Sequence, residues 1–338
     1  MNDNQQTGPL LIIGAGAVGG YIAAHLARAG EKIAVLESWT PNRDAIRARG
    51  LTVEEPAGDF RIDLPMLDDA TQIAALNPRL VILCTKLADA DAALASVEAH
   101  YAGPYLVTLN ALADIELARR LGADRVIGCI VTGLFANLVE PARMKRHRGR
   151  HDGGAATFRL GEVSGPATPR IRALVDLLGH VDAAEAVDDM PAARWTKLVF
   201  NCMTSPLCAV RRTTLRALFL EAPLRAEMTA LALEVVAVAN ATGVALDPIC
   251  GISGTTWAEA ARGDAATLAA VEKGLIYYGQ KIEPGATSGM AQDLARGRRT
   301  EVSLINGAVV TEAARHGLHA PANAALTAAL DAQRHSAP

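Results

Sequence analysis

The sequence predicts two domains in succession: an α/β domain with a mostly parallel sheet over residues 1–188, then an all-helical domain over 189–338. Three observations carry this. In the first half, unbroken apolar runs alternate with helical stretches, the pattern of strands buried on both faces. A glycine-rich turn separates the first apolar run from the first helix. From about Pro191 onward no convincing strand appears, and Ala-rich segments carry helical periodicity instead.

Taken in order, "LLIIG" reads as a buried strand and "AVGGYIAAHLARAG" as a helix closed by Gly30, with "KIAVLE" the second strand. "LTVEE" and "FRIDLPML" are less regular strands that continue the series. "RLVILCTK" precedes the helical "LADADAALASVEAHY", and "YLVTLN", helix "DIELARRLG" and strand "RVIGCIV" complete it. Residues 140–187 are Gly-rich, with short polar strands and one helix, "PRIRALVDLLGHV". The helical domain follows with "APLRAEMTALALEVVAVANATG", "SLINGAVVTEAARHG" and "NAALTAALDAQ". At its head stands "ARWTKLVFNCMTSPL", for which Asp189 and Pro191 are a start signal. Lys197, Asn201 and Ser205 recur there at i, i+4 and i+8 on one face, while Leu198, Val199, Phe200, Cys202 and Met203 cover the rest. So narrow a polar stripe on so apolar a helix needs something to face. A domain junction, where ligand clefts often form, is the expected answer.

Composition excludes several classes. Half of the 338 residues are hydrophobic and a fifth charged, and the net charge of −3 gives no global reason to bind nucleic acid or an anionic membrane. No apolar run reaches the ~18 residues of a membrane span, and "MNDNQQTGPL" lacks the regions of a signal peptide. The five cysteines are scattered without a C-x-x-C, which indicates packed, reduced thiols and a cytoplasmic protein. "ARMKRHRGRH" holds five Lys/Arg between Arg143 and Arg150 but no stacking aromatics, so a solvated hairpin is expected rather than a nucleic-acid patch. His147 and His151 stand at i, i+4 in a Gly-interrupted stretch with no supporting ligands, so no metal site is expected.

Gly14, Gly16 and Gly19 in "IIGAGAVGG" form G-x-G-x-x-G. The motif alone is weak in a chain with 29 glycines; the strand before it and the helix and second strand after it supply the context of a Rossmann-type dinucleotide site. Gly14 then makes the tight turn, Gly16 lets backbone approach a pyrophosphate, and Gly19 allows close helix–strand packing. The N–H groups of Ala17, Val18 and Gly19 open the helix and offer hydrogen bonds and positive dipole to phosphate. Glu37 ends the second strand, about 20 residues beyond the glycines, where an acid accepts from the adenosine ribose and repels a 2′-phosphate. This favours NAD, with Arg43 and Arg47 near enough to leave NADP open.

Several segments together resemble the ketopantoate reductase family: "GAGAVGGYIAAHLARAG", "AIRARGL", "CTK", "LNAL", "WTKLVFNCMTSPLCA" and "SGMAQDLARGRRTEVSLINGAVV". The resemblance runs from about residue 9 to 330. It implies a Rossmann-type domain, a helical C-terminal domain like that of 6-phosphogluconate dehydrogenase, and reduction of a 2-keto acid with a nicotinamide cofactor, usually NADPH. By that resemblance Lys197 is the proton-donating lysine and Asn201 a substrate-binding asparagine. Asn110 lies near nicotinamide and substrate, Glu301 contacts the substrate hydroxyl, and Lys86 lines the cofactor cleft. The departures matter too. Ser205 stands where the family usually has asparagine, and Gly289 where it has serine, with Ser288 adjacent. Ser38 stands where NADPH users place an arginine, which agrees with the Glu37 argument for NAD. Ser205 and Ser288 are therefore expected to shape specificity, and the substrate stays open.

The chemistry suits these residue types. Hydride transfer to a ketone leaves negative charge on oxygen, which a nearby ammonium stabilises and protonates. A lysine on an apolar helix is desolvated, which brings its proton within reach near neutral pH. Asn201 offers N–H or C=O while staying neutral. From the residues alone, Lys197 and Asn201 equally suit the solvent face of an amphipathic helix, Glu301 a helix-dipole partner, Asn110 a turn and Lys86 a solvated strand end. The resemblance selects the functional readings. An oxidoreductase follows, interconverting a 2-keto and a 2-hydroxy acid, with a homodimer left open. The alternatives are an NAD-dependent dehydrogenase oxidising a different hydroxy acid or alcohol, and a non-catalytic dinucleotide-binding protein.

Overall fold

A computed structural model describes residues 8–150, 156–295, 297 and 300–335. The chain divides into two compact units at Met190/Pro191. His151, Arg298 and Arg299 lie outside the described residues.

The first unit begins β1 (Leu10–Ile13), α1 (Ala17–Arg28), β2 (Ile33–Leu36), α2 (Thr40–Arg49), β3 (Leu51–Glu54), β4 (Phe60–Ile62) and α3 (Ile73–Leu76). It continues with β5 (Leu80–Leu83), α4 (Ala90–Glu98), β6 (Tyr105–Val107), α5 (Ala113–Leu121) and β7 (Val126–Val131). β8 (Ala136–Glu140), β9 (Arg143–Arg146), β10 (Phe158–Glu162), α6 (Pro169–Gly179) and β11 (Ala184–Ala186) complete it. The main sheet has the order β11-β10-β7-β6-β5-β1-β2. All its pairs are parallel except β10 on β7. Every residue of β1 and β5 is buried because each face carries its own core. Leu10 and Ile12 pack on the α1 side, and Leu11 and Ile13 among residues of α4 and α5. That is the period-2 alternation of a strand inside a three-layer domain.

The strands expected in "LTVEE" and "FRIDLPML" do form, but outside the main sheet. β3 and β4 belong to a separate four-stranded sheet, β4-β3-β9-β8. β3 buries alternate residues, the signature of a strand with one solvated face, and this sheet covers the outer side of α1. A Cβ on Gly20 would lie 3.0 Å from Met144 Cε of β9, so α1 is enclosed by two sheets. This is why every residue from Gly19 to Leu26 is buried.

The basic segment does form a hairpin, β8–β9, but it is not solvated throughout. Arg143 is exposed and pairs with Glu54 and Glu140, whereas Arg146 is only 3 % exposed. Arg146 donates to Asp182 and, at 3.0 Å, to the Tyr21 hydroxyl, which itself donates to Glu55. Thr157 also donates to Asp182. The buried guanidinium is tolerated because Asp182 pairs its charge and both terminal nitrogens are hydrogen-bonded, although Nε has no partner.

The second unit holds α7 (Met190–Arg211), α8 (Leu215–Leu220), α9 (Ala222–Ala241), α10 (Gly254–Ala261), α11 (Ala265–Gln280), α12 (Gly289–Ala295), α13 (Val302–Arg315) and α14 (Pro321–His335). Its regular elements are all helical among the described residues. None is long and apolar enough to cross a membrane. Four of the five cysteines are buried and all are free thiols.

Candidate active site

In the first unit the expected cofactor residues gather at the carboxyl ends of β6, β5, β1 and β2, which are neighbours in that order. Open parallel sheets bind ligands at this edge. The three glycines differ in what they permit. Gly14 has φ +89°, and a Cβ there would lie 3.1 Å from the backbone of Cys84 and Thr85 just after β5. Gly19 faces the same strand ends: its Cβ would fall 2.0 Å from Gly14 O and 2.7 Å from Cys84 Cβ. Only glycine lets α1 pack this closely. Gly16 is different, because a Cβ there would meet nothing within 4 Å. It caps α1 with no side-chain hydrogen bond, and no acid occupies the first turn around Ala17, Val18 and Gly19. A bare helix N-terminus beside open space fits a pyrophosphate.

Glu37 is 7 % exposed and is not a solvated strand-end acid. Its carboxylate accepts from the N–H of Ala15 and of Trp39, each at 2.8 Å, and from Asn42 Nδ2 at 3.1 Å. Asn42, fully buried in α2, also donates to Ala15 O at 3.1 Å and accepts from Ala142 N at 2.9 Å. The two side chains thus hold both peptide groups of Ala15, the residue between Gly14 and Gly16. Ala142 forms the β8–β9 turn with φ +61°, so the hairpin braces the glycine turn through Asn42. Ser38 follows Glu37, and the indole of Trp39 is half exposed.

Lys86 is exposed one residue beyond Thr85, beside the Gly14 turn, and its carbonyl accepts from Asp89 N at 3.0 Å. Asn110 is half-buried beyond β6 and precedes Ala111, a buried non-glycine residue at φ +55°. Thr108 ties these two loops together, its hydroxyl donating to Leu83 O at 2.9 Å. The left-handed backbone at Ala111 is strain of the kind that accumulates where a neighbouring side chain must be aimed.

In the second unit the stripe on α7 is as expected. Lys197, Asn201 and Ser205 are each half-buried, while Leu198, Val199, Cys202, Met203, Leu207 and Cys208 are buried. Ser288 is held by neighbouring backbone. It is buried at the start of α12, donates to Ser205 O at 3.0 Å and accepts from Ala291 N at 3.1 Å. Its single proton is used within the protein, so it fixes the Ser205 backbone instead of offering that proton to a ligand. Glu301 is half-buried at the N-cap position of α13, yet its side chain makes no capping hydrogen bond to that helix. Among the described residues no three His, Cys, Asp or Glu side chains gather as a metal site.

Sequence reasoning missed Asn42. It is one polar residue among many in "TPNRDAIRAR", and besides Glu37 five residues before it, its partners lie 27 and 100 residues away. Nothing local distinguishes it.

The family model "Ketopantoate reductase PanE/ApbA" matches residues 10–164, and "Ketopantoate reductase PanE/ApbA C terminal" matches 189–334. The chain is 25% identical over 328 residues to a 2-dehydropantoate 2-reductase of Caulobacter vibrioides, covering 96% of this chain and 98% of that protein. It is 27% identical over 316 residues to one of Halobacterium salinarum, covering 92% and 94%. A PanE/ApbA family ketopantoate reductase from Ralstonia eutropha superposes with a TM-score of 0.75 at 27% identity, covering 97% of this chain and 98% of that one. D-mandelate dehydrogenase solved with NADH superposes at 0.76 with 19% identity, covering 97% and 99%, and shares the fold.

Proposed function

The chain belongs to the ketopantoate reductase family of oxidoreductases acting on a CH–OH/C=O group, and we propose that it interconverts a 2-keto acid and its 2-hydroxy acid with Lys197 as general acid and base. One observation carries this reading: Lys197, Asn201 and Ser205 lie half-buried along one face of α7, with Thr196 and Phe200 beside them, while Leu198, Val199, Cys202, Met203, Leu207 and Cys208 are buried. A partly desolvated ammonium on such a face is suited to meet charge that develops in a reaction.

The nicotinamide dinucleotide, when bound, supplies or accepts the hydride. Gly16 and the N–H groups of Ala17, Val18 and Gly19 would hold its pyrophosphate, and Lys86 and Asn110 would line its remaining path. In the reductive direction Lys197 gives its proton to the carbonyl oxygen as negative charge appears there; in the oxidative direction it takes the hydroxyl proton. Asn201 and Asn110 orient the substrate by hydrogen bonds. Glu301 anchors the substrate hydroxyl and balances the lysine charge. Ser205, shorter than the asparagine that the family resemblance leads one to expect, widens the space for the substrate.

NAD is the cofactor we infer. The Glu37 carboxylate lies 2.8 Å from Ala15 N within the glycine turn, so its charge opposes a 2′-phosphate even though three N–H groups already occupy it. Ser38 offers no cation in compensation. The D-mandelate dehydrogenase that shares this fold was solved with NADH, which fits the inference. A second reading is favoured by Ser205 and Gly289: oxidation of a different hydroxy acid by NAD⁺.

A nicotinamide absorbance assay over a panel of keto and hydroxy acids, run in both directions with both cofactors, tests these points. Lys197→Ala is expected to lose ~10²–10⁴-fold in turnover. A folded variant with near-full turnover refutes the role, and a clear NADPH preference ends the cofactor inference.

A further inference from the structure

Pro206 lies inside α7, where it has no N–H to give. The carbonyl four residues earlier, that of Cys202, is therefore without its helical donor. It belongs to the residue directly after Asn201, on the segment that bears the polar stripe. The missing donor comes from another helix: Asn306 Nδ2, on α13, donates to Cys202 O at 3.2 Å.

Asn306 is fully buried, and its amide has one possible orientation. Its second proton goes to Asn323 Oδ1 at 2.8 Å, so both groups facing Nδ2 are acceptors. Asn323 is fixed in turn, donating to Leu231 O at 3.2 Å and to Glu234 Oε2 at 2.8 Å. Glu234 closes the network by accepting from the N–H groups of Ala322 and Asn323 in the first turn of α14, at 2.7 and 3.0 Å. Meanwhile Asn306 Oδ1 is buried with no hydrogen-bond partner. Burying an unpaired amide oxygen is unfavourable, and an apolar side chain would avoid that penalty. What the amide supplies here is a donor for a carbonyl that an apolar side chain would leave unpaired.

We propose that Asn306 replaces the backbone amide that Pro206 lacks and is a positioning residue of the active site. One hydrogen bond fixes the α7 backbone that carries Asn201 and Ser205. The same bond sets α13, and so Glu301 at its start, against α7. Ser288, donating to Ser205 O, secures the next turn of α7 in the same way. This inference rests on the roles given above to Asn201 and Glu301.

A double-mutant cycle tests it, because Pro206→Ala returns an N–H aimed at Cys202 O. Asn306→Ala is expected to lower kcat about tenfold or more while the dissociation constant for NADH stays as in the wild type. Pro206→Ala alone is expected to stay within about threefold of wild type, and P206A/N306A to recover to within about threefold of Pro206→Ala. Losses that simply add overturn the proposal, as does a loss confined to melting temperature with kcat unchanged. If Asn306→Ala does not fold, P206A/N306A must fold; failure of both also overturns it. Should the wild type turn over no keto or hydroxy acid, the functional reading fails separately. The same rescue must then appear in amide-exchange protection across residues 198–206, and its absence there overturns the proposal.

Discussion

Gly16 and Gly19 stand three residues apart in one motif, yet substitution by alanine should have opposite consequences. At Gly16 the backbone is φ −70°, ψ −162°, which any residue adopts, and the new methyl would meet nothing within 4 Å. Removing a glycine from a compatible conformation stabilises by about 0.4–1 kcal/mol through the unfolded chain. Losing glycine at an N-cap costs a similar amount, since alanine is poor there. The net change is expected within about 0.5 kcal/mol, under ~2 °C in Tm for a unit of this size. The methyl would nonetheless occupy the space where a pyrophosphate must approach the helix N-terminus. Loss of one or two charge-assisted hydrogen bonds, about 1.5–3 kcal/mol each, weakens cofactor binding by at least roughly tenfold. At Gly19 the methyl would fall 2.0 Å from Gly14 O and 2.7 Å from Cys84 Cβ. Relieving that overlap pushes α1 from the sheet, at about 3 kcal/mol or more, or a Tm drop of at least ~6 °C. Differential scanning fluorimetry and NADH titration on both variants read these effects. Normal NADH affinity in Gly16→Ala would show that the phosphates lie elsewhere. A Gly19→Ala protein as stable as wild type would refute the packing argument.

Asn42→Ala strips partners from the buried Ala142 N–H and Ala15 O, costing about 1–3 kcal/mol for each. A Tm drop of roughly 5–15 °C is expected, with NADH and NADPH affinities weakened in parallel; a change in their ratio would mean that Asn42 acts on the ribose end and not on the turn. Burial holds the His25 imidazole down at about 4 against an ordinary 6.5. The unfolded chain then binds the extra proton between those values, so stability is complete above about pH 6.5 and is lost as pH falls towards 4, by up to about 3 kcal/mol. His25→Phe, which suits the neighbouring rings of Tyr21 and Phe60, should flatten that slope in pH-dependent melts; an unchanged slope would assign it to other groups.

What could be read from the chain alone was local or periodic. Unbroken apolar runs such as "LLII" and "LVIL" became the central parallel strands, because a strand buried on both faces shows no alternation. The glycine turn was legible because its spacing and its flanking strands and helix lie within about 30 residues, although the close approach of Gly14 and Gly19 to Cys84 was not. The stripe at 197, 201 and 205 was legible because helical spacing is a property of the helix itself.

Only the tertiary structure decided the rest. "LTVEE" looked like one more strand of the series; which sheet it joins depends on pairing with Arg143–Lys145, some 90 residues on. The basic hairpin looked solvated, because nothing near Arg146 announces Asp182. Glu37 was read as an acid facing the adenosine ribose, and its hydrogen bonds from Ala15, Trp39 and Asn42 follow from how α2 folds back on the turn. Pro206 was visible as a proline, but the donor for the carbonyl it orphans lies 104 residues from Cys202. A hydrogen bond is satisfied by whatever folding brings within about 3 Å, and for a buried polar group that partner is set by the packing of distant segments. Periodicity records which face of an element is covered; it does not record by what.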